Sequence, residues 1–251
     1  MSEIAKKVRV VSLDVDVVEF DELIGRIDSL RQNGGGYVCF STVHMVMEAH
    51  DDPEYAAKVN AADIIVPDGM PLVWMQKIEG RRDANRVRAN DLMIGLCEFA
   101  RANGHTVGFY GAKDEVIEAI RKRIERDLPG LKVAYAFSPP FRPLTDDEDT
   151  EITAEIATKA PDLLFVGLGC PKQERWMNAH RPRLKSVMLG VGASFDFFAG
   201  NVAECPPWIG RLGLEWLFRL TQEPRRLWKR YLVLNPRFVV QAGLQALKRR
   251  K

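Results

Sequence analysis

Between Val8 and Val191 short runs of β-branched and aromatic residues alternate with longer amphipathic stretches, and this alternation constrains the fold more than any other feature. Strand-like runs fall at residues 8–13, 37–40, 64–66, 106–110, 131–137, 162–167 and 186–191. Between them Phe20, Leu23, Ile24, Ile27 and Leu30 keep helical spacing until Gly34-Gly35-Gly36 ends the pattern. Further helices are expected over 53–62, from Asp91 as N-cap to Asn103 with Gly104 at the stop, over 115–128, from an acidic start at 146–148, and over 173–180. A strand–helix–strand rhythm of this kind predicts an α/β fold, a mostly parallel sheet with helices on both faces. Beyond Pro206 the strand signals cease and only helical ones remain. The expected division is a core over 1–205 and a helical C-terminal appendage over 206–251.

Charge sets the two parts against each other. The last 36 residues hold ten Lys or Arg and one Glu, a charge of +9; with +2 for the whole chain, the preceding residues carry about −7. Large apolar side chains, among them Trp216, Trp228, Tyr231 and Phe238, interleave with the basic ones. Such an appendage suits a phosphate-bearing surface, whether nucleic acid, anionic membrane or diphosphate substrate. An apolar content of 46% with 28% charged residues is that of a globular protein, and no uncharged apolar window reaches spanning length. No secretory signal is read at the N-terminus. Cys39, Cys97, Cys170 and Cys205 lack CxxC spacing and are expected to be reduced, structural thiols of a cytoplasmic protein. Neither the histidines nor the Asp14-Val15-Asp16 triplet forms a metal-ligand pattern, so no metal is expected.

Ligands of open parallel sheets bind beyond the carboxyl ends of the strands. The turns there are STVHM with Thr42, VPDGM with Asp68, GFYGAK with Gly111, and GLGCPKQERW with Gly169 and Gln173. Free backbone N–H groups at such turns favour an anion, although glycine is also what tight strand-to-helix turns require. Neither Gly167-Leu-Gly169 nor Gly190-Val-Gly192 continues into a dinucleotide fingerprint, and no GxxxxGK[ST] occurs. NAD and ATP are disfavoured and no cofactor is expected. Asp68 follows an apolar strand and precedes a glycine; its carboxylate either caps the next helix or works as a general base at a strand tip. Arg86 and Arg88 are either solvated charges or a phosphate fork, and Glu174 and Arg175 are expected as exposed helix charges.

These blocks, with HMVMEAHDDPEY, RVRANDLM, LGCPKQERWM, GVGASFDFFAG and GLEWLFRLTQEPRRLWKRYLVLNPRF, resemble the WecG/TagA/CpsF family of bacterial glycosyltransferases over nearly the whole chain. The resemblance implies a Rossmann-like core and an inverting, metal-independent transfer of a hexose-type sugar from a UDP donor. N-acetylmannosamine, its uronic acid or a glucose-type sugar would be moved. The implied acceptor is a polyprenyl-diphosphate-linked sugar, with the enzyme peripheral on the inner face of the cell membrane. It places the catalytic base on Asp68, a substrate-contacting arginine on Arg86, the glutamine of a PKQ motif on Gln173, and the basic appendage on Arg219, Arg226 and Lys229, with Arg225 and Arg230 beside them. Many members carry Thr-x-Asn where this chain has Phe40-Ser41-Thr42, a difference that bears on the donor sugar.

Two other readings of the appendage stand beside this one. A nucleic-acid-binding module would use the same aromatic–basic interleaving, but needs no strand-tip carboxylate and would present a basic face that the acidic body does not offer. A homo-oligomer joined through the Leu and Trp residues of the appendage is the third.

Overall fold

A computed structural model describes residues 7–249. The chain begins with two four-residue strands, β1 (Lys7–Val10) and β2 (Leu13–Asp16), paired antiparallel. There follow α1 (Phe20–Gln32), β3 (Gly36–Ser41), α2 (Val43–Asp51), α3 (Pro53–Asn60), β4 (Ile64–Pro67), α4 (Met70–Ile78) and α5 (Ala89–Asn103). The second half holds β5 (Thr106–Gly111), α6 (Asp114–Asp127), β6 (Lys132–Phe137), α7 (Asp146–Lys159), β7 (Leu163–Gly167), α8 (Lys172–His180), β8 (Val187–Gly190) and α9 (Ser194–Phe198). Three helices end the chain, α10 (Pro207–Arg211), α11 (Glu215–Gln222) and α12 (Pro224–Arg249).

Strands β3 to β8 form one parallel sheet in the order β4-β3-β8-β7-β5-β6. All six residues of β3 are buried, as are the four of β8, because helices cover both faces and leave no solvent side for polar residues. One face packs on α1, α5, α6 and α9 through residues such as Leu23, Leu96, Ile120 and Phe195. The other packs on α2, α3, α4, α7 and α8 through Met45, Tyr55, Leu72, Ile156 and Met177. The α/β architecture with a parallel sheet is the one expected.

Three local expectations are corrected. Residues 8–13 are not one strand of the main sheet but parts of the β1–β2 hairpin, turned at Val11 and Ser12 with Val11 left-handed at φ 55°. Asp91 lies in the first turn of α5, whose N-cap is Arg88; Gly104 does end the helix, left-handed at φ 72°. Helix α2, which was not expected, follows directly on the β3 tip, and α4 is the helix expected after the Asp68 turn. The four cysteines are unpaired.

The appendage is not a free arm. On α12, Phe238 (4% exposed) and Ala242 join the same apolar cluster as Met45 and Met47 of α2. Arg237 grips Asp51 at the end of α2 with both terminal nitrogens, at 2.9 and 2.6 Å. Gln245 accepts the Val11 backbone N–H at 2.7 Å and donates to the Arg9 carbonyl at 2.7 Å, tying α12 to the hairpin. Among the described residues no helix is long and apolar enough to cross a membrane.

Candidate active site

The connection from β3 to β4 runs toward one edge of the sheet and that from β5 to β6 toward the other, so a crevice opens over the strand tips between them. Gly111 makes the closest approach there. At φ 122°, a Cβ on it would sit 2.6 Å from the Gly167 carbonyl, so only glycine lets the tips of β5 and β7 meet. Gly111 thus shapes the crevice while its neighbours Ala112 and Lys113 line it. The crevice is a cleft of about 840 Å³ whose floor holds Thr42, Asp68, Gly167, Gly169 and Gly190, and whose rim is Arg219, Arg226 and Arg230 of the appendage.

Asp68 stands in a turn pinned from outside: its N–H and that of Gly69 both donate to the Ser41 carbonyl at the tip of β3, at 3.0 and 3.3 Å. Gly69, not Asp68, is the N-cap of α4, and no side chain caps that helix. The Asp68 carboxylate therefore does not cap α4; it accepts the Ala89 N–H at the start of α5 and faces Arg86, whose Nη2 lies 3.6 Å from Oδ1. Burial pushes the Asp68 carboxyl above the ordinary carboxylate range, against the pull of Arg86 and with a further upward push from Glu215. Arg86 also donates through Nε to the Asp68 backbone carbonyl and through Nη2 to Glu215 at 2.7 Å.

A second cavity, of about 570 Å³ and mostly apolar, lies on the other side of Asp68. Its walls are Met70, Trp74 and Ile78 of α4, the 212–216 segment, and the Phe238–Ala246 face of α12. Gly213, left-handed at φ 72°, lands on the Trp74 ring, where a Cβ would come within 2.6 Å of Cη2. Thr42, His44, Asp68, Glu215, Arg219 and Arg230 border both cavities. Thr42 is the N-cap of α2 but makes no side-chain cap hydrogen bond.

The other candidates divide. Gln173 is 4% exposed, donating through Nε2 to Glu174 at 2.7 Å and to the Gly190 carbonyl at 2.8 Å, while Oε1 accepts the Gly169 N–H at 3.2 Å. With both amide hydrogens engaged, Gln173 staples the β7 turn to the tip of β8. Glu174, expected exposed, is fully buried and also accepts the Tyr55 hydroxyl at 3.0 Å; burial raises its pKa. Arg175 remains half-exposed, paired with Asp52 at 2.5 Å. Arg219 and Arg230 each keep a buried, unpartnered Nε at the cleft wall. Arg226 is exposed, paired with Glu223, and borders the polar cleft. Lys229 is exposed on α12 and lines neither cavity, Arg230 taking that place.

Two residues of the site were not anticipated. His44 sits 3.2 Å from Glu48, and burial, helped by Arg230, pushes its pKa down to about 4, so the ring is neutral at physiological pH. Its spacing of four from Glu48 on the first turn after a strand tip was the available signal. Glu215 begins α11 and reaches Arg86 and Arg88 at 2.7 and 3.8 Å. Asp14 and Asp16 lie away from both cavities; Asp16 is buried against Arg26 at 2.7 Å and the Ile65 N–H at 2.8 Å. Among the described residues no three His, Cys, Asp or Glu side chains gather as metal ligands.

A parallel α/β sheet whose strand tips carry a carboxylate under a rim of arginines defines a class of protein that handles an anionic ligand at a sheet crevice. The sequence model of the glycosyl transferase WecG/TagA/CpsF family matches residues 8–251, and the chain belongs to that family. It is an enzyme, a glycosyltransferase. It is 35% identical over 211 residues to an N-acetylglucosaminyldiphosphoundecaprenol N-acetyl-beta-D-mannosaminyltransferase of Bacillus spizizenii, covering 84% of this chain and 79% of that protein. A protein of the same description from Bacillus subtilis is 32% identical over 204 residues, covering 81% and 77%. One from Staphylococcus aureus is 28% identical over 225 residues, covering 88% and 87%.

Proposed function

We propose that the enzyme transfers an N-acetylmannosamine-type sugar from a UDP donor to a sugar carried on polyprenyl diphosphate, at a membrane surface, with inversion at the transferred carbon. The observation that carries this reading is the position of Asp68 on the wall shared by a polar cleft and an apolar one. The names of the relatives supply the two substrate chemistries, a diphosphate-linked sugar and a polyprenol.

The donor occupies the polar cleft, its diphosphate against the strand-tip turns and Arg219, Arg226 and Arg230. The acceptor enters from the apolar side, its first isoprene units against Trp74, Ile78 and Val239, which presents its sugar hydroxyl to Asp68. Asp68 takes the hydroxyl proton, the oxygen attacks the anomeric carbon from the face opposite UDP, and the bond to the diphosphate breaks in the same displacement. UDP leaves with the negative charge, which the rim arginines stabilise in a partly enclosed site where charge–charge interactions outweigh their strength in water. The protein offers arginines where other transferases place a metal ion. Exposed Trp208, Leu212, Leu217, Trp228 and Leu232, interspersed with Arg225, Arg226 and Lys229, give the appendage a surface fit to lie in an anionic headgroup layer.

Incubation with a panel of UDP-sugars and an N-acetylglucosaminyl-diphosphate polyprenol, followed by mass spectrometry, tests the assignment. The reading expects a product extended by one N-acetylhexosamine, formed from UDP-N-acetylmannosamine faster than from its uronic acid or from UDP-glucose. Extension from UDP-glucose alone would overturn the donor; no extension from any of them would overturn the acceptor class.

A further inference from the structure

The appendage carries two acidic side chains to the site: Glu223 is paired with Arg226 at the rim, whereas Glu215 reaches the arginine beside Asp68. Glu215, the first residue of α11, is about four-fifths buried and holds Arg86 through Nη2 at 2.7 Å, with Arg88 Nε at 3.8 Å. Arg86 is in turn the cation nearest Asp68, at 3.6 Å, and its Nε is fixed on the Asp68 backbone carbonyl. The order in space is Asp68, Arg86, Glu215: two carboxylates from distant parts of the chain share one guanidinium.

We infer that Glu215 is a positioning residue of the reaction: arriving on the appendage, it takes up the charge of Arg86 and so leaves Asp68 free to act as the base. The inference rests on the reading of Asp68 as base. An unshared arginine at this distance would form a close ion pair with Asp68 and lower its proton affinity by about one to three pKa units, making it a poor base. Glu215 prevents that by binding the same guanidinium nearly an ångström closer. The remaining charges do not substitute for it. Arg88 is shared among Glu215, Asp91 of α5 and Glu204 of the loop before α10, the last two both at 3.2 Å. His44 of α2, its pKa near 4, is neutral, and Arg219 and Arg230 face the cleft from the appendage. The Cys205 thiol, beside Glu215, is pushed up by burial and stays protonated. Because Glu215 belongs to the helices that also carry the exposed tryptophans, seating the appendage and preparing the base become one event.

The test is the pH dependence of kcat/KM for the full-length protein with UDP-N-acetylmannosamine and a short-chain diphosphate acceptor. Glu215→Gln keeps an acceptor for Arg86 but removes the charge. Its acid limb should move down by about one pH unit and its plateau fall by roughly three- to tenfold, as expected for a weakened base. Glu215→Asp should return the limb toward the native position. Arg86→Gln, which removes the cation itself, should move the limb up instead of down. If Asp68→Asn abolishes the limb while Glu215→Gln leaves it in place, Glu215 merely braces the appendage and this inference fails alone. If Asp68→Asn retains the limb, the reading of Asp68 as base falls and takes this inference with it.

Discussion

At the scale of residues, the site is built from carboxylates and cations whose properties are set by burial. Asp68 is held above the ordinary carboxylate range, so in the proposed role of base its working, deprotonated form is lost as pH falls through that raised value. Activity should therefore decline at a pH higher than a solvated aspartate would give, and kcat/KM measured from pH 4 to 8 checks it. His44 gives a separate prediction for stability. Its folded pKa near 4 lies below the unfolded value of 6.5, so between them the unfolded chain binds more protons and stability rises with pH. The contribution is complete above pH 6.5 and is lost toward pH 4, by about 3 kcal/mol at most for a shift of this size. Urea unfolding at pH 7.5 and 5 should show a smaller difference for His44→Gln than for the native protein; an equal difference would place the titration elsewhere. Asp68 and the arginine rim were legible in the sequence because they sit at strand ends and in a charge-dense segment. Glu174 and Glu215 were not, since a glutamate in a helix is ordinarily solvated. Only tertiary packing shows that one is sealed beneath Tyr55 and Gln173 and the other lies against Arg86.

At the scale of elements, the strands announced themselves through their β-branched and aromatic content, and the buried sheet is what those runs require. Helix α2 escaped notice, and α4 was expected only as a helix of unstated extent after Asp68, for a physical reason. Met45, Val46, Met47 and Ala49 are all buried, as are Leu72, Val73, Met75 and Gln76, so these short helices are covered on several sides and show no clean amphipathic stripe. The hairpin turn at Val11-Ser12 lacks the Asn-Gly or Asp-Gly signal, and a β-branched residue in left-handed backbone is not anticipated from sequence. Docking of α12 on α2 is the element on which the site depends most. Phe238→Ala should cost about 3–5 kcal/mol, the usual range for deleting a buried ring, and loosen the appendage. Limited proteolysis should then cut between α11 and α12 faster than in the native protein, and unchanged cleavage would show that the ring is not what holds α12. Trp228→Ala, at a half-exposed ring on the outer face of the same helix, should weaken binding to anionic vesicles more than turnover on a soluble short-chain acceptor. Arg219→Ala, at the cleft wall, should do the reverse.

At the scale of the molecule, an acidic α/β core meets a basic helical segment, and the site lies where they touch. The core supplies the strand-tip turns and Asp68; the appendage supplies the arginine rim, Glu215 and one wall of the apolar cavity. This division accounts for the charge asymmetry of the sequence. Each Lys or Arg near an anionic leaflet contributes about 1 kcal/mol, screened by salt, so vesicle binding should be reversible and weaken as ionic strength rises. If the rim arginines stabilise the leaving diphosphate as proposed, turnover should survive EDTA; loss restored by Mg²⁺ or Mn²⁺ would require a metal in the mechanism. The central claim is that Asp68, at the wall shared by the two cavities, removes the acceptor proton. Its most direct measurement is kcat of Asp68→Asn beside the native enzyme, with the donor affinity of each. The account predicts a loss of about two to four decades in kcat, with donor binding little changed and the fold intact by circular dichroism. Near-native kcat in a folded Asp68→Asn protein would contradict it.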